Sequence, residues 1–213
     1  MNQLTILLSG LALGLAHAFD ADHIAAVSAI VTSERNPRKA MRVGALWGLG
    51  HSTSILTAGF IVLMARVSVP ERISDLFEAS VGAALMTLGL RVLRLRNRTA
   101  EDSPLHTHFF DRRRGVVSFF VGVLHGLAGS GAITLLVLTT VDSARTGVLY
   151  LLIFSLGATI SMATVSRLMA RPLAMWTSPA HRYGRWCQAA IGLYGTALGT
   201  WMLAVHGLMP LLG

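Results

Sequence analysis

The sequence predicts an all-α integral membrane protein of six transmembrane helices, built as two inverted three-helix repeats. Three observations lead there. The 213 residues are 53% hydrophobic and 13% charged, with a mean hydropathy of +0.60, the composition of a chain whose solvent is lipid. Six apolar runs each reach or approach the roughly 20 residues that a helix needs to cross a bilayer. Lysine and arginine fall almost wholly in alternate connecting segments.

The first run covers Leu4 to Val31 and encloses the polar stretch His17, Asp20, Asp22 and His23. The second runs from Val43 to Ala65 and holds His51, Ser52 and Thr53. The third, Leu76 to Leu93, is the weakest, but Glu78 and Arg91 lie near its ends, where side chains can snorkel. The fourth, Val116 to Val141, contains His125 followed by Gly126, Gly129, Ser130 and Gly131. The last two cover Gly147 to Val165 and Cys187 to Leu212. The start resembles a signal peptide, with Ala16, His17 and Ala18 as a small-x-small pattern. No basic residue precedes it and the apolar run continues past it, so the first run is expected to stay as a span.

The net charge of +8 invites a nucleic-acid reading, which the placement of the charges removes. Arg35, Arg38, Lys39 and Arg42 follow the first span, Arg91, Arg94, Arg96, Arg98 and Arg112 to Arg114 the third, and Arg167, Arg171, Arg182 and Arg185 the fifth. The opposite side holds only Arg66, Arg72 and Arg145. By the positive-inside rule both termini are expected outside, and the surplus charge is an orientation signal. Cys187 is the single cysteine, so no disulfide framework or multi-cysteine metal site exists. The sequence contains no GxxxxGK[ST], HExxH or GxSxG motif, so neither an ATP-driven pump nor a hydrolase is supported, and no enzyme is expected.

The two halves, 1–105 and 106–213, match in order. Gly14 to His17 aligns with Gly122 to His125, Leu49 and Gly50 with Leu156 and Gly157, and Gly82 and Gly89 with Gly192 and Gly199, at offsets of 107 to 110. An odd number of spans per half makes the second half enter the membrane from the opposite side, the plan of many secondary transporters.

Four ionisable groups within seven residues of an apolar run need compensation, because one charge at a helix centre costs at least about 2.5 kcal/mol. At about 100° per residue, His17, Asp20 and His23 share one face of a regular helix and Asp22 points away. Imidazoles with carboxylates suit borderline divalent ions such as Ni²⁺, Co²⁺, Zn²⁺ or Cu²⁺ and do not separate them. An unwound helix would let Asp22 bind as well, or orient a histidine from behind. An interhelical polar clamp or proton relay is the competing reading. His51 and His125 are further metal candidates, with Ser52, Thr53 and Ser130 lining the pathway. His106 and His108 read as a solvated loop, and His181 and His206 as packing or interfacial residues. No prosthetic group is expected.

His17 to His23, continued by Ile24, Ala25 and Ala26, resembles the HX4DH signature of the nickel/cobalt transporter (NiCoT) family. Leu49 to Thr53 is similar to that family's second motif, and Leu124 to Ala132 to the Gly-Ser-Gly region of its short, urease-accessory-type nickel permeases. The resemblance implies uptake of Ni²⁺, with Co²⁺ as second substrate, across the bacterial cytoplasmic membrane. His17, Asp22 and His23 would be signature positions and His51 part of the second motif. Longer members have eight spans with the signature in the second, whereas here it opens the first. The resemblance further implies an indirect link to nickel enzymes such as urease or hydrogenase, and leaves room for a homo-oligomer or an energising subunit. Efflux of the same ions, or a metal-binding accessory role without transport, are the alternatives.

Overall fold

The computed structural model describes residues 2–32, 34–65, 70–95, 115–129, 143–178 and 182–208, and among these every regular element is helical. In chain order they are α1 (Gln3–His17), α2 (Ala21–Val31), α3 (Pro37–Ala65), α4 (Glu71–Leu95), α5 (Gly115–Gly129), α6 (Ala144–Trp176) and α7 (Gly184–Met202). A π-helical turn, Leu203–Leu208, extends α7. Three helices, α3, α4 and α6, are long and apolar enough to cross a membrane, and α1 with α2 makes a fourth if the bent pair is one span. Ser130, Gly131, His106, His108 and His181 lie outside the described residues.

The first apolar run is not the continuous helix expected. It breaks over Ala18 to Asp20, and α1 and α2 meet at 47°. The last turn of α1 closes through Phe19 N–H to Ala16 and Asp20 N–H to His17 carbonyls, at 2.9 and 3.1 Å. Asp20 then takes an extended conformation as the N-cap of α2, but its carboxylate does not cap that helix; it is bonded to His17 instead. The break is therefore tied to the polar cluster, and no proline or glycine lies within it.

Glycines set how closely the helices pack. A Cβ on Gly14 of α1 would meet the Phe154 carbonyl of α6, and one on Gly122 of α5 would meet the Trp47 carbonyl of α3. Gly50 stands in the same relation to Phe119, and Gly157 to Leu11. Between α4 and α7, Gly82 faces the Gly199 carbonyl and Gly192 faces that of Gly89, at 2.8 and 3.0 Å from an added Cβ. Small residues at such crossings let backbones approach and gain dispersion contact where lipid supplies no hydrophobic drive. Side chains add interhelical bonds: Ser52 Oγ donates to the Ser155 carbonyl (2.9 Å), and Ser161 Oγ to that of Leu15 (2.7 Å).

One apolar core gathers Ala25, Ala26, Val27, Trp47, Val81, Leu85, Met162 and Met202, and a second joins Ile6, Ile55, Tyr150, Leu151 and Phe154. The outer surface carries Leu4, Leu8, Phe60, Ile61, Leu156, Leu193 and Trp201, all exposed. Apolar cover on this scale is the surface of a protein that lipid surrounds.

Candidate metal site

The bend between α1 and α2 brings the first polar cluster under α3 and α5. The His17 and His23 ring centroids are 4.5 Å apart, His51 lies 4.9 Å from the first and 5.3 Å from the second, and His125 lies 5.3 Å from His23. His23, His51 and His125 are buried and His17 nearly so. A ring nitrogen from each of His17, His23 and His51 lies within 4.8 Å of the others, and His23 shares a second such set with Asp20 and Asp22.

The hydrogen bonds assign the ring nitrogens. A carboxylate or carbonyl oxygen accepts only, so the imidazole nitrogen facing it carries the proton. His17 Nδ1 faces Asp20 Oδ2 at 2.8 Å, His23 Nδ1 faces Asp22 Oδ1 at 3.1 Å, and His125 Nδ1 donates to the Val121 carbonyl at 3.0 Å. In the neutral rings each Nε2 is then left with its lone pair. His17 Nε2 points at His51 Nε2, 3.0 Å away, while His23 Nε2 and His125 Nε2 are buried with no hydrogen-bond partner. His51 Nδ1 is likewise buried and unpartnered. Buried polar atoms are rarely left this way, and three on one histidine cluster suit a ligand that accepts lone pairs.

Both aspartates meet the histidines, whereas a regular helix would turn Asp22 away. Asp22, expected to point away, sits in the first turn of α2, where the helix dipole favours negative charge, with its other oxygen 4.0 Å from His125 Nε2. Asp20 touches His17, but its side chain is 54% exposed against 27% for Asp22. The break rotates α2 relative to α1, so the wheel drawn through both does not apply.

Ser52 is buried and joins α3 to Ser155 and Thr159 of α6, the latter at 2.8 Å. Thr53, expected on the pathway, is exposed on the outer side of α3 and its hydroxyl donates to the Leu49 carbonyl of its own helix. Helical positions point about 100° apart, so a run of three neighbours cannot all face inward: His51 and Ser52 are buried and Thr53 is not. His206 meets Asp75 of α4 at 2.9 Å, away from the four-histidine cluster. Two residues that ligand chemistry does not single out stand against the histidines: Trp47 beside His23 and His125, and Phe154 beside His17. Their signal in the sequence is their spacing of 107, the offset of the second repeat match.

Fold and site together define a helical membrane protein built around a buried histidine cluster that could hold a metal ion. The family described as high-affinity nickel-transport protein, NicO, matches residues 4–96. Urease accessory protein UreH of Bacillus sp. (strain TB-90) is 34% identical over 183 residues, covering 82% of this chain and 80% of that protein. The chain therefore belongs to this nickel-transport family, whose members are metal-ion transporters and not enzymes. Chloroplast protein FOR GROWTH AND FERTILITY 2 of Arabidopsis thaliana is 27% identical over 157 residues, 67% of this chain. A high-affinity nickel transport protein of Cupriavidus necator is 32% identical over 77 residues, 36% of this chain. The aligned segments make up 41% and 21% of those two longer proteins. No solved structure matches.

Proposed function

We propose that this chain takes up Ni²⁺, with Co²⁺ as second substrate, across the bacterial cytoplasmic membrane, and that His17, His23, His51 and His125 hold the ion in transit. One observation carries the reading: three of the four imidazoles have Nδ1 committed to an acceptor, which leaves Nε2 free to bind an ion. Two nitrogens bound at right angles, each about 2.1 Å from one ion, are about 3.0 Å apart, which is the separation of His17 Nε2 and His51 Nε2. Asp20 and Asp22 act from behind as orienting acceptors, and Asp22 can also reach the ion.

Six spans in two inverted halves, 1–105 and 106–213, with both termini outside, is the architecture we favour. Its support is the pairing of contacts: Gly14 on Phe154 answers Gly122 on Trp47, and Gly50 on Phe119 answers Gly157 on Leu11, each at the sequence offset of 107 or 108. Exposed Trp176, Tyr183 and Trp186 sit at the arginine-rich end, with Arg182 5.5 Å from the Tyr183 ring, as interfacial aromatics do. Ser52 lines the pathway from α3, and Ser130 is the second serine we assign to it. The name of the Bacillus relative favours a link to urease, through nickel supply or a metal-binding accessory role, alone or with a partner subunit.

Reconstitution of the single chain in liposomes with Ni²⁺, Co²⁺, Zn²⁺ and Mn²⁺ in competition tests the reading. Nickel should accumulate with cobalt as its best competitor, and the His17→Ala/His23→Ala double variant should abolish uptake. Uptake that survives this double change removes the site, and hypersensitivity to nickel in cells lacking the protein reverses the direction.

A further inference from the structure

Two aromatic rings are built against the histidines in matching ways from opposite halves of the chain. Trp47 on α3 is 1% exposed and its ring lies edge-on to His125 of α5, centroids 5.5 Å apart at 90°, and 5.2 Å from His23. Phe154 on α6 is 3% exposed and lies 5.4 Å from His17 of α1. Trp47 and Phe154 are 107 positions apart, and His17 and His125 are 108. The carbonyl of each aromatic residue is also the group against which Gly122 or Gly14 closes, and the histidine follows that glycine by three positions. The close approach of the helices at the glycine thus brings each histidine onto its ring.

Trp47 makes no use of its polar atom: the indole N–H is buried and has no partner. Phe154 has no polar atom to use. What the pair shares is a rigid ring packed edge-on or tilted against an imidazole whose Nδ1 is already anchored. One hydrogen bond fixes one ring nitrogen and leaves the imidazole free to tilt about it; a packed ring on its side removes that freedom. Metal donors must hold their geometry within about 0.5 Å and 10–20° to be productive, and supporting groups do that work.

Resting on the metal reading above, we propose that Trp47 and Phe154 are paired positioning residues. Each fixes the imidazole plane of the opposite half's histidine, His125 or His17, so that the donors fit a small divalent transition-metal ion. The rings touch the histidines and not the ion.

The experiment titrates Co²⁺, and then Ni²⁺ in competition, into the purified full-length chain in detergent, read by the visible ligand-field absorption of bound cobalt. Trp47→Phe keeps a rigid aromatic ring while losing the unused N–H and part of the indole, and should bind close to the parent's affinity and spectrum. Trp47→Met and Phe154→Met fill the space without a plane. They should bind about 10–100-fold more weakly, with a shifted absorption band and reduced preference over Zn²⁺, while thermal unfolding confirms that they fold. Unchanged affinity and spectrum in the folded methionine variants overturn the proposal, and if Trp47→Met does not fold, Phe154→Met decides. A parent chain that binds no Co²⁺ removes the metal reading itself, and the proposal with it.

Discussion

Removing each aspartate in turn separates the bent site from a regular helical one. Asp22 holds His23 Nδ1 at 3.1 Å and lies 4.0 Å from His125, with its side chain 27% exposed. Asp22→Ala leaves a buried imidazole without its orienting acceptor. Losing such a partner costs about 10–100-fold in metal affinity, or about 1.4–2.8 kcal/mol. Asp20 makes a shorter contact, 2.8 Å to His17, but its side chain is 54% exposed. Water can replace it, and exposed ion pairs contribute at most about 1 kcal/mol, so Asp20→Ala should cost no more than about fivefold. Asp22→Asn, which keeps an acceptor oxygen and loses the charge, should fall between. Calorimetric titration of Ni²⁺ into the purified variants measures all three, with initial uptake rates in liposomes as a second readout. An Asp20→Ala loss equal to or larger than that of Asp22→Ala would refute the argument and restore a straight helix with Asp20 on the metal face.

Four further outcomes are expected. Gly122→Ala and Gly14→Ala put a methyl group against a backbone carbonyl that cannot move aside and should each destabilise by about 1–3 kcal/mol. Gly129→Ala, whose nearest neighbour is His17 Cε1 at 3.9 Å, should be mild in the same thermal-unfolding assay. Ser52→Ala removes the bond to Ser155 and should cost about 0.5–1.5 kcal/mol, whereas Thr53→Val, on the outer side of α3, should leave uptake unchanged. Protons compete with the ion for the same lone pairs, so Ni²⁺ affinity should fall as the medium is acidified and binding should release protons; an affinity indifferent to pH would count against imidazole ligation.

The helical class and the membrane environment were legible because both rest on sums over many residues. The first cluster was legible because charge in an apolar run is expensive wherever it lies. The break at Ala18 to Asp20 was not, since its residues include no helix breaker and its cause is the meeting of His17 with Asp20. Extending the wheel through that point turned Asp22 away from His125. The exposure of Thr53 was not legible either: a motif run suggests that neighbours act together, while the helix buries His51 and Ser52 and leaves Thr53 exposed. Trp47 and Phe154 went unread because an aromatic on an apolar helix carries no ligand signal of its own. Their contacts across the two halves, Trp47 on His125 and Phe154 on His17, are set by a helix more than 70 positions away in each case.

The glycine contacts also bear on how the protein is made. Among the described residues, every glycine packed on another helix is packed on one from the other side of residue 106: α1 on α6, α3 on α5 and α6, α4 on α7. As the chain leaves the ribosome, its first three apolar runs enter the bilayer with their narrow grooves facing lipid. None can close until α5, α6 and α7 arrive. The order of synthesis therefore leaves an obligate waiting stage. A chain stopped near residue 105 would present bare backbone grooves and three of the four clustered histidines, with no partner helix to cover either.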